Sequence, residues 1–229
     1  MALQPRPGIM EIAAYVGGEA SIPGVDRVLR LASNENPLGP SPRAMEAYRE
    51  LADELHRYPD GGATALRESI AEVYGLDASR IVCGAGSDEL ISLLTRAYAG
   101  PGDEVLYSRH GFLMYPISAK GVGARPVAVA ERNLCADVDA LLEAVNEHTR
   151  ILFLANPNNP TGSYLPASEV ERLQAGLPES VLLVIDAAYA EYVEAADYEA
   201  GVRLVENCEN VVMSGLMNLL KKSIRCSPY

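Results

Sequence analysis

The segment CGAGSDEL, at residues 83–90, has a composition that could bind an anion. It follows a short predicted strand, and its two glycines allow a tight turn into a helix. The backbone N–H groups of Ser87, Asp88 and Glu89 would then project from the helix N-terminus, where a negatively charged group is stabilised. The alternative is an ordinary glycine-rich turn in which Ser87 caps the helix.

The carboxyl group of Asp186 is a second candidate, because this residue ends the apolar run VLLVID at residues 181–186. A carboxylate in a buried strand is unfavourable unless it has a partner. The protonated ring nitrogen of a bound heterocycle is one such partner, and Tyr189 could donate a hydrogen bond to the same ligand. The alternative is that Asp186 caps the turn that follows it.

Two further loops have unusual compositions. The loop NPNNPTG, at residues 156–162, contains two prolines and three asparagines, which predict a rigid loop with its amides held outward. The loop at residues 108–118 presents Phe112 and Tyr115, and an aromatic ring here could stack on a planar ligand or pack in the core. The three histidines have no spacing typical of metal ligands, so we expect no metal site.

Apolar segments that alternate with helical ones would position these candidates. The predicted strands cover residues 80–83, 104–107, 125–129, 151–156 and 181–186. The predicted helices cover residues 87–99, 112–120, 137–146 and 166–175, after two earlier helices, one capped by Ser41 and one ended by Gly75. On the helix at 87–99, the residues predicted to face inward are Leu90, Ile91, Leu94 and Tyr98. The alternation predicts an α/β fold, a three-layer sandwich with a mostly parallel sheet, in which ligands bind beyond the carboxyl ends of the strands.

Composition argues against several classes of protein. The chain has 229 residues, with 31 acidic and 19 basic side chains, so no basic surface for nucleic acid is expected. It has no run of about 18 apolar residues, so no membrane-spanning helix is predicted. Its first residues lack the features of a signal peptide, and its four widely spaced cysteines fit free thiols. We therefore expect a soluble cytoplasmic protein.

Six segments occur in one order and together resemble the histidinol-phosphate aminotransferases, which are fold type I enzymes dependent on pyridoxal 5'-phosphate (PLP). These segments are SNENPLGPS, RYPDGGATALRESIA, GAGSDELI, HGFLMY, NPNNPTG and DAAYAEY. The resemblance implies transfer of an amino group between L-histidinol phosphate and 2-oxoglutarate, in histidine biosynthesis. It also implies an N-terminal arm at 1–40, an incomplete PLP-binding large domain at 41–213, and a tail at 214–229 outside the family pattern.

The resemblance implies that one end of the cofactor, its phosphate, is held by backbone groups. Ser87, Asp88 and Glu89 match the residues that form this phosphate cradle. Tyr58 matches a tyrosine that reaches the phosphate of a neighbouring subunit's cofactor, which implies a homodimer.

The resemblance also assigns residues to the cofactor ring. Phe112 matches the aromatic that stacks on the pyridine ring, and Asp186 matches the carboxylate on the ring nitrogen. Asn159 matches the asparagine on the phenolic oxygen, with Tyr189 beside it. The segment 186–189 reads Asp-Ala-Ala-Tyr where many members have Asp-Glu-Ala-Tyr, but both candidate side chains are present.

The family pattern is lost after Met213. Counted from NVVM, the lysine that forms the Schiff base should fall near position 219, where this chain has Leu219. The arginine that pairs with the phosphate should fall near Ser227, and Lys221 could replace the lysine only through a gap in the alignment. We therefore expect that a frameshift, a truncation or a gene-model error follows Met213, and that this chain alone is inactive.

Other functions stay open at this point. A related PLP enzyme, either an aromatic aminotransferase or a threonine-phosphate decarboxylase, would share the motifs of this region. A non-catalytic protein that binds PLP weakly, or that pairs with an intact paralogue, would need no Schiff-base lysine. A degraded product without function would expose the apolar edges of its sheet.

Overall fold

The computed structural model describes residues 5–13, 23–26, 28, 34–36 and 38–215. The described residues form two compact units, one within residues 1–12 and 63–229 and the other within residues 13–62. The smaller unit contains helix α1 (Pro42–Leu51) and a 3-10 turn at Ala52–Glu54. The predicted helix after Ser41 is therefore confirmed, whereas the predicted limit of an N-terminal arm at residue 40 stays a prediction.

The larger unit alternates helices and strands. Its helices are α2 (Thr64–Tyr74), α3 (Ser87–Tyr98), α4 (Met114–Val122), α5 (Val138–Ala144), α6 (Ala167–Gly176) and α7 (Val202–Asn207). Its strands are β1 (Glu104–Ser108), β2 (Arg125–Val129), β3 (Thr149–Ala155), β4 (Leu182–Asp186) and β5 (Val211–Ser214). None of the helices in the described ranges is long and apolar enough to cross a membrane.

The five strands form one sheet in the order β2-β1-β3-β4-β5, and every pairing between them is parallel. This confirms the predicted α/β fold. The chain passes outward from β1 to β2 and then returns to the other side of β1 with β3. The direction of winding therefore reverses between β1 and β3, and such a reversal opens a crevice at the carboxyl ends of the strands.

The core covers both faces of the sheet, because successive side chains of a strand point to opposite faces. On β3, Leu152 and Leu154 contribute to one apolar cluster, while Ile151 and Phe153 contribute to the other. Both clusters also receive buried side chains from the helices, so the sheet lies between two helical layers. Strands buried on both faces are near-continuous apolar runs, which is why their sequence pattern was informative.

Three expectations from the sequence were wrong or incomplete. Residues 80–83 form no strand: a 3-10 turn at Ala78–Arg80 leads into an irregular segment, because this segment pairs with none of the five strands of the sheet. Its apolar character reflects burial alone, as at Ile81. Tyr98, predicted to face inward, is 44% exposed at the last residue of α3, whereas Leu90, Ile91 and Leu94 are buried as predicted. Helix α7 and strand β5 were not predicted.

Candidate functional site

Asp186 lies at the carboxyl end of β4, between the ends of two neighbouring strands. The strand registers place Ala155 of β3 and Ser214 of β5 beside it. The loop that begins at Asn156 therefore starts next to Asp186, and the Asn156 N–H donates to the Asp186 carbonyl oxygen at 2.9 Å. This edge of the sheet is where the sequence predicted a ligand.

The carboxyl group of Asp186 is buried, with 5% of the residue exposed, and three donors hold it. The Tyr115 hydroxyl donates to Oδ2 at 2.8 Å, and the Ser214 hydroxyl donates to Oδ1 at 3.0 Å. The backbone N–H of Ala188 also donates to it, so the alternative interpretation as a turn cap describes one of its contacts. Burial raises the pKa of Asp186, and these hydrogen bonds offset that rise only in part.

The ring of Tyr115 is fully buried within α4. It stacks on Phe153 with a centroid distance of 4.6 Å and an interplanar angle of 5°, and Phe112 meets it edge-on at 6.0 Å. Burial, together with the charge of Asp186, raises the pKa of Tyr115 well above its ordinary value, so its hydroxyl stays protonated and donates. Sequence reasoning offered Tyr115 only as an aromatic; its contact with Asp186 spans 71 residues and carries no sequence signal.

Phe112 lies in the loop between β1 and α4 and is half-buried. It packs against the apolar cluster that contains Phe153, as a core residue would. Its other side is partly exposed, so the two interpretations from the sequence, core packing and stacking on a ligand, are compatible. Its proposed contact with a cofactor ring stays a prediction.

Helix α3 begins at Ser87, and Gly86 is its N-cap residue with φ +88°. Ser87 is therefore the first helical residue and not the cap that the alternative interpretation required. The N–H groups of Ser87, Asp88 and Glu89 belong to the first turn, where no helical carbonyl is available to accept from them. The Glu89 carboxylate folds back and accepts from the Ala85 N–H at 2.6 Å, which fixes the loop that leads into the helix.

Gly84 allows this loop to lie close to the helix. A Cβ atom at Gly84 would lie 2.8 Å from Oε2 of Glu89 and 3.0 Å from Cδ2 of Leu90. Asp88 is exposed at the start of the helix, and its charge contributes to the raised pKa of Asp186. The helix N-terminus and the buried carboxyl group are therefore electrostatically coupled parts of one region.

Two of the three asparagines in NPNNPTG hold the loop itself. The Asn156 side chain accepts from the Leu165 N–H at 2.7 Å and donates to the Leu165 carbonyl oxygen at 3.1 Å. The backbone carbonyl oxygen of Asn156 accepts from the Tyr198 hydroxyl. Asn158 donates to Thr161 at 2.8 Å and to the His110 carbonyl oxygen at 3.2 Å. Asn159 is half-buried, and its side chain has no hydrogen-bond partner within the described residues, so it stays available to a ligand.

Glu131 is a residue of this region that sequence reasoning missed. Its side chain is almost fully buried after β2, and it accepts from the His110 backbone N–H at 2.9 Å and pairs with His110 Nδ1 at 2.7 Å. Burial raises the pKa of Glu131, but the contacts with His110 outweigh that effect and lower it overall. The pair therefore fixes the loop after β1, and no spacing pattern in the sequence links the two residues.

Three further sets of candidates complete the comparison with the sequence: Tyr189, Tyr58 and the positions after residue 215. Tyr189 is half-buried after β4, with its ring 6.4 Å from that of Tyr192. Tyr58 lies in the smaller unit and is fully exposed, so its predicted role stays a prediction. The predictions for positions 219, 221 and 227 fall on residues outside the described ranges. Within those ranges, no group of three His, Cys, Asp or Glu side chains is placed to bind a metal ion.

The arrangement suits a ligand with a negatively charged group at one end and a cationic ring nitrogen at the other. The first turn of α3 offers three free N–H donors to an anion. The Asp186 carboxyl group is buried, and a cationic partner would stabilise its ionised form. Asn159 and Phe112 lie on neighbouring loops, and a phosphorylated pyridine cofactor fits this combination of N–H donors, carboxyl acceptor, amide and aromatic ring.

The sequence is similar to curated histidinol-phosphate aminotransferases. It is 66% identical to the one from Rhodospirillum centenum over 210 residues, which are 92% of this chain and 58% of that protein. It is 67% identical to the one from Paramagnetospirillum magneticum over 209 residues, 91% of this chain and 58% of that protein. The chain thus spans less than two thirds of the length of these relatives.

The structure and the family model agree with this likeness. A solved structure of histidinol-phosphate aminotransferase from Sinorhizobium meliloti in complex with pyridoxal-5'-phosphate has a TM-score of 0.74 and 30% identity, covering 80% of this chain and 50% of that one. The family model described as aminotransferase class I and II matches residues 26–216, most of the chain. The chain therefore belongs to the aminotransferase class I and II family.

Proposed function

We propose that this chain binds PLP at the carboxyl edge of its sheet and corresponds to the cofactor-binding part of a histidinol-phosphate aminotransferase. The observation that carries the proposal is Asp186, a buried carboxyl group with a raised pKa at the end of a central strand. A cationic ring nitrogen would restore the ionised form, since a charged partner offsets the unfavourable burial of a carboxylate.

The other residues have complementary tasks in this proposal. The N–H groups of Ser87, Asp88 and Glu89 hold the phosphate, and Asn159 with Tyr189 binds the phenolic oxygen. Phe112 covers one face of the ring. When bound, PLP supplies an electron-withdrawing ring that stabilises a carbanion on the substrate.

The proposed substrates of the whole protein are an amino-group donor, L-histidinol phosphate, and a keto-acid acceptor, 2-oxoglutarate. Support comes from the relatives of 66% and 67% identity, which are named histidinol-phosphate aminotransferases. We further propose a cytoplasmic homodimer, because the exposed Tyr58 matches a residue that reaches a neighbouring subunit's cofactor.

The purified 229-residue chain is expected to bind PLP but to produce no glutamate. Position 219 is a leucine, which has no amine to attack the cofactor carbonyl or to move a proton. Calorimetric titration should give saturable binding of PLP, and binding of pyridoxal, which lacks the phosphate, should be weaker by at least about tenfold because the helix N-terminus gains no anion.

Two results would contradict this proposal. Equal affinities for PLP and pyridoxal would remove the role of α3 in holding the phosphate. Robust coupled formation of glutamate from 2-oxoglutarate and L-histidinol phosphate, together with borohydride trapping of PLP on Lys221, would overturn the assignment of Leu219. A full-length relative, assayed in parallel, is the positive control for turnover.

A further inference from the structure

Each oxygen of the Asp186 carboxyl group has its own hydroxyl donor, and the two donors come from different elements. Tyr115 reaches Oδ2 from α4, and Ser214 reaches Oδ1 from the end of β5. Both hydrogen bonds are buried, and both donors are among the residues with almost no exposed surface. Two donors on the two oxygens fix the plane of the carboxyl group.

We propose that Tyr115, assisted by Ser214, is a positioning residue that keeps the shared proton of a bound pyridine ring on the ring nitrogen instead of on Asp186. The inference rests on the proposed function, because it concerns a ring nitrogen held at this carboxyl group. Neither residue is among those that the family resemblance assigns to the cofactor.

The ring of Tyr115 is held tightly enough to aim its hydroxyl. Phe153 stacks on it almost in parallel, and Phe112 packs against it edge-on. Gly111 lets the loop pass close to the ring, since a Cβ atom there would lie 3.3 Å from Cε2 of Tyr115 and 2.9 Å from the Ser108 carbonyl oxygen. A ring packed on several sides loses little further freedom when its hydroxyl bonds to Asp186.

The donors decide where the proton lies because a carboxylate and a ring nitrogen compete for it. Hydrogen bonds donated to a carboxylate stabilise its ionised form and reduce its affinity for a proton. The groups that face Asp186 are Tyr115 from α4, Ser214 from β5, the Ala188 N–H from the following turn and the Asp88 carboxylate from α3. Burial and Asp88 favour protonation, whereas the two hydroxyl donors, together with the Ala188 N–H, oppose it.

The first test measures Asp186 in the unliganded chain and needs no cofactor. Carbon-13 NMR of aspartate-labelled protein, assigned with Asp186→Asn, gives the titration midpoint of the Asp186 carboxyl group. Tyr115→Phe keeps the stacked ring and removes only the hydroxyl, and it is expected to raise this midpoint. Ser214→Ala is expected to raise it as well, and serves if Tyr115→Phe does not fold. The matched control, Tyr164→Phe, removes an exposed tyrosine hydroxyl from Asp197 and should leave Asp186 unchanged.

The second test follows the proton on PLP labelled with nitrogen-15 in the ring. In the wild-type chain we expect the chemical shift of a protonated pyridine nitrogen, and in Tyr115→Phe a shift toward the neutral value. An Asp186 midpoint unchanged or lowered in both folded variants overturns the proposal, and so does a ring-nitrogen shift that Tyr115→Phe leaves unmoved. If PLP fails to bind the wild-type chain, the proposed function fails, while the first test still decides the role of Tyr115.

Discussion

Replacement of Asp186 by asparagine is expected to weaken PLP binding by about 10- to 100-fold, because the charge-assisted hydrogen bond to the ring nitrogen is worth about 1.5–3 kcal/mol. Asparagine has nearly the same shape and can still accept from one hydroxyl, so the fold is retained. Asp197→Asn is the matched control: Asp197 also accepts from a tyrosine, Tyr164, but at an exposed site. Calorimetric titration of PLP should separate the two variants, and equal affinities would contradict the role of Asp186.

The same substitution is expected to change the pH dependence of stability. The pKa of Asp186 is raised in the folded chain above its ordinary value of 3.8, chiefly by burial. As the pH rises from about this ordinary value through the folded pKa, the unfolded chain gives up its proton first, and the folded chain loses stability relative to it. Asparagine does not titrate, so it has no such loss.

Thermal unfolding of the unliganded chain between pH 4 and pH 8 measures this difference. The Tm of the wild-type chain is expected to fall relative to that of Asp186→Asn as the pH increases. If the difference in Tm, wild type minus Asp186→Asn, stays constant or increases with increasing pH, the pKa of Asp186 is not raised in the folded chain. Asp186→Asn is thus expected to bind PLP more weakly and to lose less stability than the wild-type chain as the pH rises. Both results together would show that Asp186 favours ligand binding and destabilises the unliganded fold.

Phe153→Ala is expected to lower the free energy of unfolding by about 3–5 kcal/mol, because it removes a fully buried aromatic ring and leaves a cavity in a packed core. Phe153 lies on β3, the middle strand of the five, and its ring supports that of Tyr115. A loss of this size is a large part of the total stability of an ordinary domain, about 5–15 kcal/mol. PLP binding should therefore weaken as well, because a larger fraction of the chain is unfolded and cannot bind.

Urea denaturation tests this expectation, with Leu113→Ala as the control. Leu113 is the N-cap residue of α4, the helix that carries Tyr115, and it is 59% exposed. Its truncation should change the free energy of unfolding by about 0.5 kcal/mol or less. Phe153→Leu should fall between the two, since it fills part of the cavity. A loss below about 1 kcal/mol for Phe153→Ala would contradict the packing of β3 between the two apolar clusters.

Much of the fold could be predicted from the sequence because the central strands are buried on both faces. An apolar run such as residues 151–155 has the composition of such a strand. In the intervening helices, apolar residues recur at helical spacing. The segment 80–83 has a similar composition, yet the structure gives it no partner strand, and pairing depends on tertiary position. Strand β5 was not predicted because it is short and no turn-forming sequence comparable to NPNNPTG, the loop after β3, marks its end.

The site was predictable where one residue carries the signal. Asp186 is conspicuous as an acidic residue that ends an apolar strand, and the start of α3 is marked by its glycines. The partners of Asp186 were not predictable in this way, because Tyr115 and Ser214 lie 71 and 28 residues from it. Contacts over such separations arise from the order of the strands, which no local pattern encodes.

A crystal structure of the chain, from crystals grown with saturating PLP, tests most directly the central claim that PLP binds at the carboxyl edge of the sheet. The account predicts a cofactor whose phosphate accepts from the N–H groups of Ser87, Asp88 and Glu89 and whose ring nitrogen donates to Asp186. A cofactor bound elsewhere on the chain would contradict it, and so would crystals in which this edge of the sheet shows no bound PLP.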